Sequence, residues 1–429
     1  MPSEPLKRPP SRVGALARRI AIDVTPLRTS RDYRLLWSAQ LISEAGHQIT
    51  IVALFVQVYR LTGSPAAVGL IGLVQIVPLI LSSIGGGSIA DAVDRRKLLA
   101  LSQVGFAIAS GILLAGALMD RPPLVLIYGA AALTAGLSGI DSPTRSAMIP
   151  RLVGRELLPA AVALNQVMWQ TTSIVGPAIG GIVVVKLGLP WAYGIDIVTY
   201  GATLGAAILM RPMPPTRDEG EDAAMGWAAI KAGFHYLKGR RVIQSTFYID
   251  LVAMVFGMPR ALFVILAATQ FHRGAEVVGF LFAAPAAGAL IGALTAGWVG
   301  GVRHQGRAVI WAVAAWGAGI FAFGVVGANL WLGLFFLAVA GAADVVSAVF
   351  RSTILQLSVP DSLRGRLSGI HILVVTGGPR LGDFEAGLVA QAFTPTVSVV
   401  SGGLLCVAGA ALLALLVPEF RHYHAGGRT

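Results

Sequence analysis

The hydrophobic positions of the chain form long runs that short polar segments separate. Twelve runs are present, at 35–58, 67–89, 98–119, 124–141, 162–186, 191–210, 243–266, 276–299, 307–326, 329–349, 367–393 and 396–417. An α-helix of about 20 apolar residues crosses the hydrocarbon core of a bilayer. The runs lack the alternation of a half-buried strand, and a bilayer offers open strand edges no hydrogen-bonding partners. The pattern therefore predicts an all-α membrane protein with twelve transmembrane helices.

The basic residues of the polar segments predict the orientation of these helices. With the N-terminus placed inside, the inside segments hold 27 Lys and Arg residues and the outside loops hold 4. Arg260 and Arg380 lie within predicted spans. Because cytoplasmic loops of membrane proteins carry the excess of Lys and Arg, we expect a multi-pass protein of the cell (cytoplasmic) membrane with both termini in the cytoplasm.

Composition supports the membrane assignment and narrows the chemistry. Hydrophobic residues make up 55% of the chain and charged residues 13%, whereas about 25% of the residues of an ordinary soluble domain are charged. The net charge of +12 comes without a nucleic-acid-binding motif, so we expect anionic lipid headgroups, and no nucleic acid, at the basic tail 1–34. Cys406 is the single cysteine, and neither metal-ligand spacing nor a phosphate-binding loop is present. We expect no metal and no cofactor.

The longest interior polar stretch, 211–242, divides the chain into a bundle at 35–210 and a bundle at 243–417, with a tail at 418–429. Within it, Trp227, Ile230, Phe234 and Leu237 recur at helical spacing and predict an amphipathic helix on the cytoplasmic face. A flexible linker is an equally good interpretation of 211–222. The segment 87–97 aligns with 297–307 at an offset of 210, and Pro150 aligns with Pro360 at the same offset. Two parallel six-helix repeats follow from this alignment.

Several motifs resemble those of the major facilitator superfamily. The segment 87–97, GSIADAVDRRK, resembles that superfamily's signature between spans two and three, with Asp94 where many members have Gly. Within the superfamily the chain is most similar to the branch that contains the enterobactin exporter and macrolide and multidrug exporters. The stretches that carry this similarity are 143–150, 256–262, 356–366 and 377–383.

The resemblance implies a gate on the cytoplasmic side. In the family, the signature acid contacts span eleven and the signature Arg pairs with an acid at the foot of span four. The corresponding residues here predict a contact of Asp91 with span eleven and an Arg95–Asp141 pair, which would hold the two bundles together until the transporter opens inward. The alternative is that the basic residues only set topology. The predicted gate consists of Gly87, Asp91, Arg95, Arg96, Asp141 and Arg145.

A glycine- and proline-rich segment in span five, Gly176, Pro177, Gly180 and Gly181, resembles the antiporter-associated motif of the family. Proline removes a backbone donor and bends a helix, and small residues let a partner helix pack closely against the bend. The motif favours antiport over other transport modes, although glycine is frequent throughout this chain.

Ionisable residues inside the spans are costly in hydrocarbon and usually face a cavity. Glu44 lies nine residues into span one, about 14 Å at 1.5 Å per residue, and His47 follows one turn later. Such a pair either exchanges a proton near neutral pH or simply fixes helix packing. The predicted proton or substrate cavity comprises Glu44, His47, Asp250, Arg260, Arg380, Asp383 and Glu385. Arg380 and Asp383, spaced i,i+3, are candidates for mutual neutralisation or for gating. Asp196, Asp344 and His371 are weaker candidates.

These features together predict a secondary active transporter rather than an enzyme. The expected activity is export of a small, largely apolar organic compound, as in drug efflux, by proton antiport and alternating access. The alternatives are a siderophore-specific exporter with a more polar cavity and, from another class, a transport-inactive membrane scaffold or sensor. We expect a monomer whose partners are a small-molecule substrate and protons.

Overall fold

The computed structural model describes residues 23–214, 231 and 235–424, and every regular element in that part of the chain is helical. We number the membrane helices α1 to α12. Their bounds are Arg31–Thr62 (α1), Pro65–Ala92 (α2), Arg95–Leu118 (α3), 124–153 (α4), 155–186 (α5), Leu189–Leu209 (α6), Arg241–Phe256 (α7), Ala275–Thr295 (α8), Gln305–Val325 (α9), Leu330–Ser358 (α10), Asp361–Ala392 (α11) and Pro395–Leu416 (α12).

The predicted helix count is confirmed once one continuous segment is divided. Among the described residues, ten helices are long and apolar enough to cross a membrane, and one of them, Leu124–Lys186, has 63 residues. A straight helix of that length would span about 95 Å, three times the hydrocarbon thickness. Gly154 interrupts it with φ 74° and ψ 171°, which separates α4 from α5. The charged helix α11, with 32 residues, is the twelfth span.

The structure corrects the predicted connections at two places. The segments 142–161 and 350–366 were expected as polar loops, but α4, α5 and α10 continue through most of them. Span seven was expected to be continuous, but α7 ends at Phe256, and a 3-10 turn at Arg260–Leu262 leads into a short helix at Phe263–Thr269. Gly257 and Pro259, which frame the break, are the sequence signal for it.

Side chains cap the starts of five of the described membrane helices. The side chains of Ser30, Ser64, Asp94, Asn329 and Thr394 accept hydrogen bonds from backbone N–H groups in the first turns of α1, α2, α3, α10 and α12. These caps satisfy donors that a helix start leaves without a partner.

The predicted N-terminal tail 1–34 overlaps with the first membrane helix, because α1 already begins at Arg31. Residues 1–22 and most of the predicted amphipathic helix, including Trp227, Ile230 and Phe234, lie outside the described residues.

Two helix pairs join α1–α6, which we call the N-bundle, to α7–α12, which we call the C-bundle. Helix α2 packs along α11, and α5 packs along α8. Glycines make both contacts close. A Cβ atom added to Gly72 would overlap with the Arg380 carbonyl oxygen, and one added to Gly279 would overlap with the Pro177 carbonyl oxygen. Close backbone approach at small residues is the usual way in which membrane helices associate.

The two bundles share an apolar core at one face of the membrane only. We call the side at which α1 begins and α12 ends the terminal face. At the opposite face, Phe55 of α1 packs edge-on against Phe282 of α8, which also contacts Phe263. The buried clusters toward the terminal face stay within one bundle: one includes Leu36, Leu99 and Met148, and the other includes Ile243 and Leu367. The described part of the molecule is therefore closed at the opposite face, with a separate core in each bundle at the terminal face.

Candidate transport site

A cavity of about 320 Å³ lies in the N-bundle, in the half of the membrane nearer the terminal face. This volume is within the range of small-molecule sites in proteins. Five helices contribute to its wall, and the wall mixes charged, amide, hydroxyl and aromatic side chains. The lining residues include Gln40, Ser43, Glu44, His47, Gln103, Phe106, Asp141, Arg145, Asn165, Trp169 and Tyr200.

Helix α1 places the predicted pair Glu44 and His47 on the cavity wall. Each has its own neighbour. Gln48 donates a hydrogen bond to Glu44 Oε1 at 3.1 Å, and His47 Nδ1 lies 3.2 Å from the Tyr200 hydroxyl. Tyr200 in turn stacks on Phe106 of α3 at 5.2 Å between ring centroids. The cavity therefore presents a carboxylate and an imidazole beside an aromatic surface.

Asp141 also lines this cavity, but its ionic partner differs from the predicted one. Arg145 Nε lies 2.5 Å from Asp141 Oδ2, and Gln103 donates to Asp141 Oδ1 at 3.0 Å. In the described structure Asp141 is therefore paired with Arg145 and not with Arg95. Arg145 lies one turn along the same helix, so it reaches Asp141 directly, whereas Arg95 donates to the Ala147 carbonyl oxygen at 3.2 Å.

The loop between α2 and α3 is anchored to the N-bundle. Asp94 caps α3 by accepting from the Arg96 N–H at 2.9 Å, and Arg96 NH1 donates to the Met210 carbonyl oxygen at 2.9 Å. The residue that departs from the family signature thus has a helix-capping role. Gly87 and Asp91 belong to α2. The surroundings of Gly87, the side chain of Asp91 and the side chains of 361–366 at the start of α11 are not among those that the structure describes. The gate therefore stays a prediction.

A fully buried carboxylate joins three helices of the N-bundle. Asp196 of α6 accepts hydrogen bonds from Thr50 of α1 at 2.8 Å and from Ser110 of α3 at 2.6 Å, both at Oδ2. Its Oδ1 atom has no hydrogen-bonding partner in the part of the chain that the structure describes. The sequence pointed only weakly to Asp196, because the two hydroxyl donors lie 86 and 146 residues away along the chain.

The C-bundle contains a second group of charges, which the sequence analysis largely missed. Asp250 of α7 and Arg351 of α10 form an ion pair at 2.8 Å, and they are 1% and 2% exposed. Asp344 Oδ1 lies 3.9 Å from Arg351, and His371 Nδ1 of α11 lies 3.9 Å from Asp250 Oδ2. The sequence pattern placed Arg351 in the polar segment 350–366, which was expected as a cytoplasmic loop. Its spacing of seven residues from Asp344, two helical turns, was the available signal for a shared helix face.

The two bundles place their charges at related positions. Glu44 and Asp250 lie on the first helices of their bundles, and Arg145 and Arg351 lie on the fourth. Both pairs are separated by 206 residues. This correspondence supports the predicted internal repeat with residues that lie inside the bundles.

The break in α7 brings Arg260 and Asp383 together in the half of the membrane nearer the opposite face, where the Asp383 backbone lies against Gly69 near the start of α2. Arg260 NH2 donates to Asp383 Oδ2 at 3.0 Å, and the Ala261 N–H donates to Asp383 Oδ1 at 3.0 Å. Trp316 Nε1 donates to the Gly257 carbonyl oxygen at 2.8 Å. The backbone groups at the break are thus satisfied by neighbouring helices, as irregular backbone within a bilayer requires. Asp383 is committed to Arg260, so the mutual neutralisation considered for Arg380 and Asp383 is not observed.

Arg380 instead links the two bundles. Its Nε atom donates to Gln75 Oε1 of α2 at 3.1 Å, and its NH1 donates to the Thr376 carbonyl oxygen at 2.6 Å. Glu385 lies one turn further along α11 and is half-buried. The Arg380 side chain lies beside the α2–α11 contact, and neither Arg380 nor Glu385 lines the N-bundle cavity.

The glycine- and proline-rich segment of α5 lies where three helices meet. Gly176 and Gly180 face α1 at Gln48 and Ile49, and Gly181 faces the backbone of Ala275 at the start of α8. The expected packing of partner helices against small residues is observed. Among the described residues, no group of three or more His, Cys, Asp and Glu side chains is arranged to hold a metal ion.

Comparison with known proteins relates this geometry to a family. Residues 22–425 match the sequence profile of the transmembrane secretion effector family. The chain is 28% identical over 404 residues to the enterobactin exporter EntS of Escherichia coli (strain K12). The aligned region covers 94% of this chain and 95% of EntS. EntS of Citrobacter koseri (strain ATCC BAA-895 / CDC 4225-83 / SGSC4696) is 27% identical over the same shares.

Solved structures of low sequence identity share the fold. A crystal structure of a bacterial homologue of the human lysosomal transporter Spinster, in an inward-facing and unoccupied conformation, superposes with a TM-score of 0.67 at 13% identity. The superposed region covers 91% of this chain and 95% of the Spinster homologue. The nucleoside transporter NupG superposes with a TM-score of 0.68 at 12% identity, covering 91% of this chain and 98% of that one. The chain is a multi-pass membrane protein that belongs to the transmembrane secretion effector family of major facilitator superfamily transporters.

Proposed function

We propose that the protein is a secondary active exporter that moves an amphiphilic organic molecule out of the cell in exchange for protons. The observation that carries this proposal is the N-bundle cavity, in which Glu44 and His47 border an aromatic surface. The ionisable groups of both bundles lie within membrane spans, where such groups usually take part in ion or substrate movement. The separate bundle cores at the terminal face fit a conformation that receives substrate from that side.

The lining of the cavity favours an amphiphilic substrate over the largely apolar one expected from the sequence. Phe106, Trp169 and Tyr200 offer aromatic surface, while Gln103, Asn165 and other polar side chains offer hydrogen bonds. A flat organic molecule that carries a positive charge or several hydroxyl groups fits this combination.

A siderophore-specific exporter is the second candidate. It is favoured by the similarity to the enterobactin exporters over 94% of the chain, together with the amide and hydroxyl groups of the cavity wall. Both candidates place the terminal face in the cytoplasm and the protein in the cell membrane, in agreement with the distribution of Lys and Arg.

Everted membrane vesicles that contain the full chain test the proposal and separate the two candidates. Acidification of the vesicle interior should drive uptake of ethidium, a flat cationic probe, or of radiolabelled enterobactin, and a protonophore should abolish it. The double variant Glu44→Gln/His47→Gln should reduce uptake at least tenfold at equal protein level, because it removes the carboxylate and the imidazole that border the aromatic surface of the cavity. Exchange of the exposed Glu156 for Gln is the matched control. Wild-type uptake by the double variant would contradict the proposed substrate site.

A further inference from the structure

We propose that the proton exchanged for substrate is held by Asp344 in the C-bundle, and not in the N-bundle cavity. This inference rests on the proposed proton antiport and assigns the proton to a particular carboxyl group.

Two carboxylates face a single guanidinium in this cluster. Arg351 remains protonated in proteins, Asp250 lies 2.8 Å from it, and Asp344 lies 3.9 Å from it. With both acids ionised and His371 neutral, the cluster has a net charge of −1. One added proton makes it neutral. Because a net charge inside the membrane is costly, the cluster has a strong preference for one bound proton when it is enclosed.

The geometry distinguishes the two acids. Asp250 is 1% exposed and makes the close contact with Arg351, whose NH1 also donates to Ser347 at 3.1 Å. This arrangement holds Asp250 as the ionised partner. Asp344 makes the longer contact, and 23% of its side chain is accessible. Asp344 is therefore the group that gains and loses the proton.

Among the side chains that the structure describes, the neighbouring helices supply few other titratable groups. His371 of α11 lies 3.9 Å from Asp250, and Cys406 of α12 lies within electrostatic range of Asp344. The charged residues of α8 and α9 are Glu276 and Arg307, which lie in the first turns of those helices. In the N-bundle, by contrast, Glu44 borders the substrate cavity and Asp196 is enclosed and hydrogen-bonded to two hydroxyl groups.

The proton cycle follows from this arrangement. Asp344 takes up one proton while the molecule is open to the opposite face, and the neutral cluster is then enclosed as the bundles rock. The carboxyl group releases that proton when the molecule opens to the terminal face. Uptake forms one O–H bond on the Asp344 carboxylate, and release breaks that bond. Neither step needs another reactant.

Infrared difference spectroscopy of the purified full chain in lipid nanodiscs tests the site without substrate. Raising the pH should remove the C=O stretch of one protonated carboxyl group. Asp344→Asn should lack this signal, and Asp250→Asn should lack it as well, since one acid then faces one arginine. His371→Gln and the exposed control Asp120→Asn should keep it. The proposal is overturned if the signal survives in Asp344→Asn, or if His371→Gln removes it.

Transport measurements separate this inference from the proposed function. Asp344→Asn should retain ethidium exchange between the two sides of proteoliposomes, while accumulation driven by a pH gradient should fall at least tenfold. Unchanged gradient-driven accumulation in Asp344→Asn overturns the proton assignment but leaves the exporter in place. If the wild type transports neither ethidium nor enterobactin and yet shows the infrared signal that Asp344→Asn lacks, the proton site stands and the proposed function fails.

Discussion

A basic side chain near the end of a membrane helix can either extend to the lipid headgroups or turn into the bundle. Arg145 and Arg351 do the latter, and each pairs with an aspartate that lies within the membrane span. Each guanidinium thereby gains an ionic partner in a region of low dielectric. Residues that look like topology signals in the sequence are thus part of the interior charge arrangement.

The Asp141–Arg145 pair should behave as a unit in mutagenesis. Removing one member of a buried pair leaves an unpaired charge, which costs about 3–5 kcal/mol, whereas replacing both members is much less costly. We therefore expect Arg145→Gln to lower the thermal stability of the purified protein strongly, and Arg145→Gln/Asp141→Asn to recover most of the loss. Thermal unfolding in detergent measures this. Equal losses in the single and double variants would show that Asp141 has another charged partner.

At the scale of helices, the contact between α5 and α8 depends on the absence of side chains at a few positions. Gly181 and Gly279 each lie against the backbone of the opposing helix, so the two helices touch at the opposite face. Such a contact is expected to open when the transporter turns outward, because α5 and α8 belong to different bundles.

Gly279→Ala should therefore shift the protein toward the conformation that is open at the opposite face. The new methyl group overlaps with the Pro177 carbonyl oxygen, and a penalty of about 1 kcal/mol raises the population of a minor state roughly fivefold. Pulsed electron spin resonance between spin labels at Leu187 and Phe393 measures the separation of the bundles. Gly201→Ala, whose methyl group meets open space, is the matched control. An unchanged distance distribution in Gly279→Ala would contradict this account.

The molecule as a whole is held together at the face opposite the termini. Aromatic contacts among Phe55, Phe263 and Phe282 close that side, while Arg241 and Glu419, at 3.2 Å, link the start of α7 to the end of the chain at the terminal face. Arg145 and Arg351 lie inside the bundles, so they no longer count toward the 27 basic residues of the cytoplasmic segments. The remaining 25 still far exceed the 4 in the outside loops. The charge asymmetry that predicts orientation is therefore unaffected.

Topology reporters test that orientation. A reporter that fluoresces only in the cytoplasm should be bright when fused after residue 225 or at the C-terminus, because the positive-inside asymmetry places both sites inside. Epitope tags within 60–66 or 268–275 should bind antibody on intact spheroplasts. An externally accessible C-terminus would be incompatible with twelve spans and a cytoplasmic N-terminus.

The sequence by itself determined the twelve helices, their approximate bounds, the superfamily and the presence of Glu44, His47 and Asp250 inside the membrane. These properties depend on hydrophobic runs and residue types that are local in the chain. They hold whichever way each helix is rotated about its axis.

Only the tertiary structure decided which charges meet. Asp141 pairs with Arg145 instead of Arg95, Arg351 joins Asp250, and Asp383 caps the break in α7. Each outcome depends on the rotation and depth of helices that are far apart in sequence. An ion pair requires atoms within about 4 Å, and an error of one residue in a helix rotates a side chain by about 100°. The pattern of runs and charges carries no information at that precision, so the packing of the helices selected the partners.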